Sequence, residues 1–294
     1  MEYIDKIGSK YKDKAHQIIE ATVQAQWIDG QYVNLRYADL PKSEIETILV
    51  DEQKHLCCYC MRRLRIKAET IENKVNGVCL HQNVTLEHVI PNKIKKEQYD
   101  EYREHYAQFE NLNDSNITVF PGGELKDKGK KLQMPPYPHF FAYENLVASC
   151  DGDSDENGGI VNKHCCNEAR GADYIYPFFF NRNVKSLVSY GKDGTIICDE
   201  PNVDYFRIQL RLMTSSFNNI RRFWYLIEES EYDMNNVDDA RADKDLRRDI
   251  IDDIDDANTM EWEHYMSDDI WNLMADYSWF YSYYKQKYHS YEKA

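Results

Sequence analysis

The apolar positions near the start of the chain repeat at helical spacing. Four of them define one helix face between residues 10 and 27: Ala15, Ile18, Ile19 and Val23. A proline-containing break follows. Ser43 and Glu46 then form the sequence pattern of a capping box, which predicts a second helix from Ser43 to about Lys54. We therefore expect a helical N-terminal region over residues 1–55.

The pattern becomes short and strand-like in the middle of the chain. The run Thr-Leu-Glu-His-Val-Ile-Pro at 85–91 is rich in β-branched residues and stops at proline, so it predicts a strand that ends in a loop. Residues 143–150 form a second short apolar run. A long polar insertion at 92–142 separates the two runs. We assign residues 56–184, with this insertion, to one domain.

The C-terminal part returns to helical spacing after a predicted β-hairpin. The hairpin spans residues 185–198, because Asp-Gly between apolar alternations is a strong turn signal. Helices are predicted over 204–229, 238–256 and 259–290, within a C-terminal region of residues 185–294. The candidate core positions of the first of these helices are Ile208, Leu210, Leu212, Ile220, Phe223 and Leu226. The last helix carries an apolar and aromatic stripe, typical of a core or a partner interface: Trp262, Tyr265, Ile270, Trp271, Met274, Trp279 and Phe280.

Charge changes the interpretation of the C-terminal region. The chain carries 36 basic and 51 acidic residues, a net charge of −15. Residues 185–294 hold 13 of the basic and 23 of the acidic residues, which makes them a poor surface for nucleic acid and a candidate docking surface for a basic partner. Basic side chains that can follow a phosphate backbone lie elsewhere: Arg62, Arg63, Arg65, Lys67, Lys126, Lys128, Lys130 and Lys131.

Composition and sequence pattern argue against a disordered, a membrane-spanning and a secreted protein. Hydrophobic residues make up 42% and charged residues 30%, which is typical of a folded globular chain. No apolar run is long enough for a membrane span, and the N-terminus lacks the basic and apolar segments of a secretion signal. We therefore expect a cytoplasmic protein without membrane contact, whose eight cysteines are metal ligands or buried thiols rather than disulfides.

The cysteine spacing predicts a zinc site. Cys57 and Cys60 form a C-x-x-C, whose two thiolates can reach one zinc ion from a tight turn at about 2.3 Å each. Cys150 and the pair Cys165-Cys166 supply the remaining ligands, with either member of the pair open as the fourth. A set of buried free thiols is the alternative.

An acid–histidine pair and two asparagines are the candidates for chemistry. Glu87 and His88 end the predicted strand, where neighbouring side chains point to opposite sides. Glu87 can thus hold a hard divalent cation while His88 accepts a proton from water. Asn145 can bond across to the His88 loop, and Asn167 begins a helix from which its oxygen can reach a metal on Glu87. Taken singly, Glu87 and His88 also fit an ordinary exposed pair, and each asparagine also fits a helix cap or a turn residue.

As a set, these segments resemble a known family. The matching segments lie at residues 56–60, 86–91, 143–150 and 164–171, and the likeness extends over 43–225. They resemble the HNH nucleases, and among them the PtuB-type HNH subunits of Septu and type I-A retron anti-phage systems. The resemblance implies an α+β, mainly helical fold. A ββα-metal core with a four-cysteine zinc site would be flanked by N-terminal and C-terminal helices.

The resemblance also assigns roles to the candidate residues. It implies that His88 is the general base, that Glu87 and Asn167 bind a catalytic Mg²⁺ or Mn²⁺, and that Asn145 orients the His88 loop. Glu87 replaces the more usual aspartate, and Asn167 the more usual histidine.

The resemblance further implies which four cysteines bind the structural zinc. It selects Cys166 over Cys165, because Asn167 and Arg170 then fall in register with the family pattern, although Arg170 stands where lysine is common. The implied zinc ligands are Cys57, Cys60, Cys150 and Cys166.

The implied activity is metal-dependent hydrolysis of phosphodiester bonds in nucleic acid, with DNA favoured. The implied partner is the ABC-type ATPase PtuA, and in retron systems a reverse transcriptase with its RNA–DNA product. The chain has no Gly-x-x-x-x-Gly-Lys-Ser/Thr loop, so any ATP dependence must come from another chain. We expect the aromatic, acidic C-terminal helices to dock the ATPase.

Three alternatives stay open at the level of sequence. The chain can be a zinc-stabilised, catalytically silent interaction subunit. It can be a nuclease that acts on RNA such as tRNA. It can also be a redox protein that uses Cys57 and Cys60.

Overall fold

The fold is α+β and mainly helical, as predicted. The computed structural model describes residues 1–29, 31–32, 36–66, 74–75, 78–79, 82–91, 102, 139–152, 164–254 and 266–289. Most of the predicted insertion at 92–142 lies outside these residues, as do Trp262 and Tyr265 of the predicted aromatic stripe. No helix among the described segments is long and apolar enough to cross a lipid bilayer.

The helices are short and most of them follow residue 164. Their bounds are α1 Lys12–Gln24, α2 Lys42–Glu52, α3 Cys166–Arg170, α4 Val184–Leu187, α5 Glu200–Asp204, α6 Ser215–Glu229, α7 Met234–Asp239, α8 Lys244–Asp253, α9 Asp268–Asp276 and α10 Trp279–His289. Single 3₁₀ turns occur at Tyr37–Asp39, His139–Phe141, Tyr143–Asn145 and Phe178–Phe180, and a π-helical turn at Tyr205–Gln209.

The strands pair two by two, and each pair is antiparallel. The pairs are β1 Trp27–Ile28 with β2 Gln31–Tyr32, β3 Lys74–Val75 with β4 Val78–Cys79, β5 Val84–His88 with β6 Leu146–Cys150, and β7 Ser189–Tyr190 with β8 Ile196–Ile197. Only β5 and β6 pair over five residues, so they form the main sheet of the described chain.

The N-terminal helices lie close to where the sequence predicts them. Ala15, Ile19 and Val23 are buried on one face of α1. The predicted start of α2 is wrong: the helix begins at Lys42, and Ser43 does not cap it. The reason is that the Pro41 carbonyl already accepts hydrogen bonds from the next turn, so the helix begins before Ser43.

A strand–strand–helix unit forms the centre of the fold. Val84 pairs with Cys150 at one end of the β5–β6 ladder, and His88 pairs with Leu146 at the other. The predicted strand and its end before Pro91 are confirmed. Both α2 and α3 pack on β6, which is buried along its whole length, whereas Thr85, Leu86 and His88 of β5 are partly exposed.

The prediction of one continuous helix over residues 204–229 is wrong. A π-helical turn ends at Gln209, Arg211 adopts a positive φ of 53°, and α6 begins after Thr214, whose side chain accepts a hydrogen bond from the Phe217 amide. Four of the six predicted core positions are buried: Leu210, Leu212, Ile220 and Phe223. Ile208 is 59% exposed because it lies on the outer side of the π turn.

The predicted hairpin exists but is shorter than expected. Residues 184–187 form α4 instead of strand, and only β7 and β8 pair around the Asp-Gly turn. Gly194 has a φ of 79°, and a Cβ at this position would collide with the Asn218 carbonyl of α6. Glycine is therefore required at this turn both for its backbone conformation and for the close approach of α6.

One buried core connects the three ranges drawn from the sequence, 1–55, 56–184 and 185–294. The Trp224 indole donates a hydrogen bond to the Met274 carbonyl at 2.9 Å, and the Trp271 indole donates one to the Val237 carbonyl at 2.9 Å. Trp271, Met274 and Phe280 are buried. Within the described residues, the stripe of the last helices thus packs inside the chain, with Trp279 partly exposed.

Candidate four-cysteine metal centre and the His88 site

Four cysteines meet in the interior of the protein. The sulfur atoms of Cys57, Cys60, Cys150 and Cys166 all lie within 4.8 Å of one another, and all four residues are buried. The Cys57–Cys166 sulfur distance is 3.9 Å and the Cys60–Cys150 distance is 3.8 Å. Tetrahedral zinc with sulfur at about 2.3 Å requires sulfur–sulfur distances of about 3.8 Å. The predicted ligand set is therefore brought together at spacings that fit a zinc ion.

The turn that carries Cys57 and Cys60 is closed by backbone hydrogen bonds. The Cys57 amide donates to the Arg62 carbonyl at 2.8 Å, and the Met61 amide donates to the Cys57 carbonyl at 3.2 Å. Met61 has a positive φ of 64°, which closes the turn tightly. The Cys150 amide points at the Cys57 sulfur from 3.3 Å. Such amide donors stabilise a thiolate, the form that binds metal.

The other two cysteines of these motifs border the cluster without belonging to it: the Cys165 thiol contacts Cys150, and the Cys58 thiol contacts Cys57. Cys58 and Cys165 are both buried, but neither belongs to the group whose sulfur atoms converge. Burial raises the pKa of the Cys58 thiol well above its ordinary value. Cys165 precedes α3 and Cys166 opens it. Cys166 is the fourth member, as predicted.

The C-terminal helix α9 braces the metal centre from outside. Asp276 is 5% exposed and accepts hydrogen bonds from the Arg62 and Arg65 side chains, while its carbonyl accepts one from the Arg63 amide at 2.8 Å. The Tyr277 hydroxyl lies 3.9 Å from the Cys60 sulfur. Arg62 and Arg65 are therefore held as counterions of a buried aspartate, which leaves them poorly placed to follow a phosphate backbone as the sequence suggested.

Of the other basic side chains considered for that role, Arg63 is exposed. The remaining ones lie outside the described residues: Lys67, Lys126, Lys128, Lys130 and Lys131.

His88 ends strand β5 with its ring held on two sides. Nε2 lies 3.0 Å from the Phe140 carbonyl, and the Tyr37 ring packs against the imidazole with centroids 4.4 Å apart. A carbonyl can only accept, so Nε2 carries the proton and Nδ1 has the free lone pair. Burial lowers the pKa of His88 to about 4, which keeps the ring neutral at pH 7.

Asn145 ties the His88 loop to the turn that carries Phe140. Its Oδ1 accepts a hydrogen bond from the Ile90 amide at 2.6 Å, and its Nδ2 donates to the carbonyls of Ile90 at 2.9 Å and His139 at 3.1 Å. The side chain is fully buried. The Asn145 side chain has no hydrogen bond to the imidazole among the described contacts, but it joins the two segments whose backbone positions determine the orientation of the His88 ring.

Glu87 points to the other side of the strand, away from His88. Its Oε1 accepts hydrogen bonds from the Tyr59 hydroxyl at 3.0 Å and from the Arg170 guanidinium. Burial raises the pKa of Glu87, and the neighbouring Arg170 opposes this shift. The positive charge beside the Glu87 carboxylate is thus supplied by Arg170 of the same chain.

Asn167 lies on the first turn of α3, half-buried. Within the described residues its side chain makes no hydrogen bond to Glu87 or His88. The side chain that reaches Glu87 from α3 is Arg170, one turn further on. The contact with Arg170 does not favour a divalent cation on Glu87, and the role of Asn167 as a second oxygen ligand stays a prediction.

Sequence reasoning missed four contributors to the site: Tyr37, Tyr59, Phe140 and Arg170 as a partner of Glu87. Tyr59 and Arg170 offered a signal, since Tyr59 lies between two of the predicted zinc ligands and Arg170 lies one helical turn after Cys166. No sequence signal pointed to Tyr37 or to the Phe140 carbonyl, because each meets His88 only through the tertiary fold.

Comparison of the chain with known protein families and with curated proteins finds no match.

Proposed function

We propose that this chain is a zinc-stabilised endonuclease of the HNH type that hydrolyses phosphodiester bonds, with His88 as the general base. The observation that carries the proposal is the strand–strand–helix unit formed by β5, β6 and α3, tied together by the four cysteines. His88 lies at the end of its first strand, and Asn145 lies directly before its second.

The state of His88 supports the role of a base. A general base must be unprotonated at the working pH and must be aimed by a partner on its other nitrogen. The Phe140 carbonyl aims the ring and leaves the Nδ1 lone pair to accept a proton. The lowered pKa keeps the ring neutral at pH 7 but also weakens it as a base, so the support comes from the orientation of the ring. Asn145 acts as a positioning residue, because it joins the His88 loop to the Phe140 turn. Proton transfer of this kind typically contributes about 10²–10⁴-fold to the rate.

Zinc at Cys57, Cys60, Cys150 and Cys166 would serve the fold rather than the reaction. Four thiolates complete a tetrahedral shell and leave no open position for water or substrate. The implied Mg²⁺ or Mn²⁺ at Glu87 and Asn167 does not fit the contacts of Glu87, so we assign no step of the reaction to it.

The proposed setting is an anti-phage complex in the cytoplasm with an ABC-type ATPase, by resemblance to PtuB-type subunits. DNA is the favoured substrate, and RNA such as tRNA is the alternative. The acidic residues of α8 that include Asp245, Asp249 and Asp252 are exposed, whereas the aromatic residues of α9 and α10 largely pack inwards. A basic partner would therefore meet carboxylates on this surface rather than an aromatic stripe.

The test is cleavage of plasmid DNA and of tRNA by the purified, zinc-loaded protein, with its ATPase partner and Mg²⁺ present. We expect His88→Ala to lower cleavage by about 10²-fold or more, because the base is lost. The matched control is His164→Ala, since His164 is exposed and lies on no contact of the His88 ring. Equal cleavage by His88→Ala and wild type, at equal zinc content, would refute the proposal.

The second candidate is a zinc-stabilised interaction subunit without catalysis. The closed contact between Glu87 and Arg170 favours it, because the carboxylate is already neutralised inside the protein. It predicts that the wild-type complex cuts neither DNA nor RNA under any tested metal condition, while His88→Ala still binds the ATPase.

A further inference from the structure

Arg170 is the most completely enclosed charge near the proposed active site. Its side chain is 0% exposed. The guanidinium donates to the main-chain carbonyls of His88 at 2.9 Å, Val89 at 2.6 Å and Asp173 at 2.9 Å. It also contacts the Tyr59 hydroxyl at 3.5 Å and the Tyr102 hydroxyl at 3.2 Å, in addition to Glu87.

These contacts place Arg170 where it holds the backbone of the proposed base. The carbonyls of His88 and Val89 follow directly from β5, at the point where the strand turns into the loop that Asn145 also binds. A planar guanidinium can satisfy several acceptors at once, whereas lysine offers a point charge. The zinc turn contributes as well, because Tyr59 lies between Cys57 and Cys60 and donates to Glu87.

We propose that Arg170 is the resident cation of the Glu87 carboxylate. In this protein the Glu87–Arg170 pair positions the backbone of His88, and Glu87 does not bind a divalent metal ion. This role of the Glu87–Arg170 ion pair does not depend on whether the chain cuts nucleic acid, because the contact exists independently of the activity of His88.

Displacement of Arg170 by a metal ion is opposed by two effects. The guanidinium would leave two carbonyls of the His88 segment unpaired in the interior, and unpaired buried acceptors are costly. A divalent cation at Glu87 would also stand beside a fixed positive charge with no solvent between them. A metal requirement of any nuclease activity would then come from the substrate or from another part of the complex.

The first test counts bound Mn²⁺ by the electron paramagnetic resonance signal of the free ion. The zinc-loaded full chain and its Glu87→Gln variant are titrated with Mn²⁺ up to about 1 mM, the limit of a weak specific site. Asp245→Asn serves as the control for ions held on the acidic surface, since Asp245 is exposed. We expect wild type and Glu87→Gln to bind equal amounts. One equivalent more in wild type than in Glu87→Gln overturns the proposal.

The second test is a double-mutant cycle on thermal unfolding without divalent metal other than zinc. Glu87→Gln and Arg170→Met should each lower the melting temperature by several degrees, because each leaves one buried partner uncompensated. The double variant should lose less than the sum of the two single losses. Additive losses would show that the two groups are not coupled, and would contradict the proposal.

The Mn²⁺ comparison does not depend on whether the Arg170 variant folds. The outcomes also separate this inference from the proposed function. Mn²⁺ binding through Glu87 refutes the inference alone, whereas unchanged cleavage by His88→Ala refutes only the role of His88 as the general base.

Discussion

At the scale of single residues, the site depends on which side of one strand each group faces. Glu87 and His88 are neighbours, yet Glu87 meets Tyr59 and Arg170 while His88 meets Tyr37 and the Phe140 carbonyl. Alternation along a strand separates the two environments. On one side of the strand, the opposite charges of Glu87 and Arg170 compensate each other. On the other side, the neutral imidazole of His88 has the lone pair of Nδ1 available.

The lowered pKa of His88 predicts a pH dependence of stability. The imidazole has a pKa of about 4 in the folded protein and 6.5 when unfolded, so the unfolded state binds more protons between these values. Stability should therefore fall as the pH drops below 6.5 and stay level above it. Near pH 5 the loss from this group is about 2 kcal/mol relative to pH 7.

The measurement is urea unfolding of wild type and His88→Gln near pH 7 and near pH 5. Glutamine does not titrate, so the variant should lose about 2 kcal/mol less than wild type on acidification, while any protonation of zinc thiolates affects both proteins alike. Parallel losses in the two proteins would mean that His88 is not desolvated.

At the scale of elements, the metal centre joins three separate pieces of the chain. The turn after α2 supplies Cys57 and Cys60, the end of β6 supplies Cys150, and the start of α3 supplies Cys166. The elements involved are short, and α3 is only five residues long. Helices of this length are not stable alone, so shared ligation and burial must hold them.

Adjacent cysteines offer a matched test of this arrangement. Cys60→Ser and Cys166→Ser should each lose zinc and unfold at a lower temperature, because each removes one of four ligands. Cys58→Ser and Cys165→Ser are the controls, since both residues are buried but stand outside the ligand set. Zinc content by mass spectrometry and thermal melting give the result. Full zinc in Cys166→Ser together with loss in Cys165→Ser would reverse the assignment of the fourth ligand.

At the scale of the whole molecule, the C-terminal helices are part of the core that supports the metal centre. Asp276 on α9 binds the Arg62 and Arg65 side chains next to the zinc turn, and Trp224 and Trp271 are held by carbonyls of neighbouring helices. A deletion beyond residue 235 would remove these contacts and expose buried aromatic surface. Partner docking is better examined through the exposed carboxylates of α8.

Asp276 provides the test of this support. Asp276→Ala should cost about 3–5 kcal/mol of unfolding free energy, because it removes the buried carboxylate that two largely buried arginines share, and the contact of Arg62 with Asp151 at 3.5 Å is longer and more exposed. Asp245→Ala is the control, since Asp245 is exposed and its ion pair with Arg248 at 3.6 Å is worth about 0.5 kcal/mol or less. Urea unfolding measures both. A loss at Asp276 no larger than at Asp245 would show that α9 does not brace the zinc turn.

Local pattern was enough to predict the helix face of α1, the strand that ends before Pro91, the zinc turn at Cys57 and Cys60, and the acid–histidine pair. These features arise from periodicity and spacing between near neighbours. Only the tertiary structure decided where the predicted helix over 204–229 breaks and what Glu87 binds. Glu87 and Arg170 are 83 positions apart, and such a contact depends on how β5 and α3 pack rather than on either local sequence.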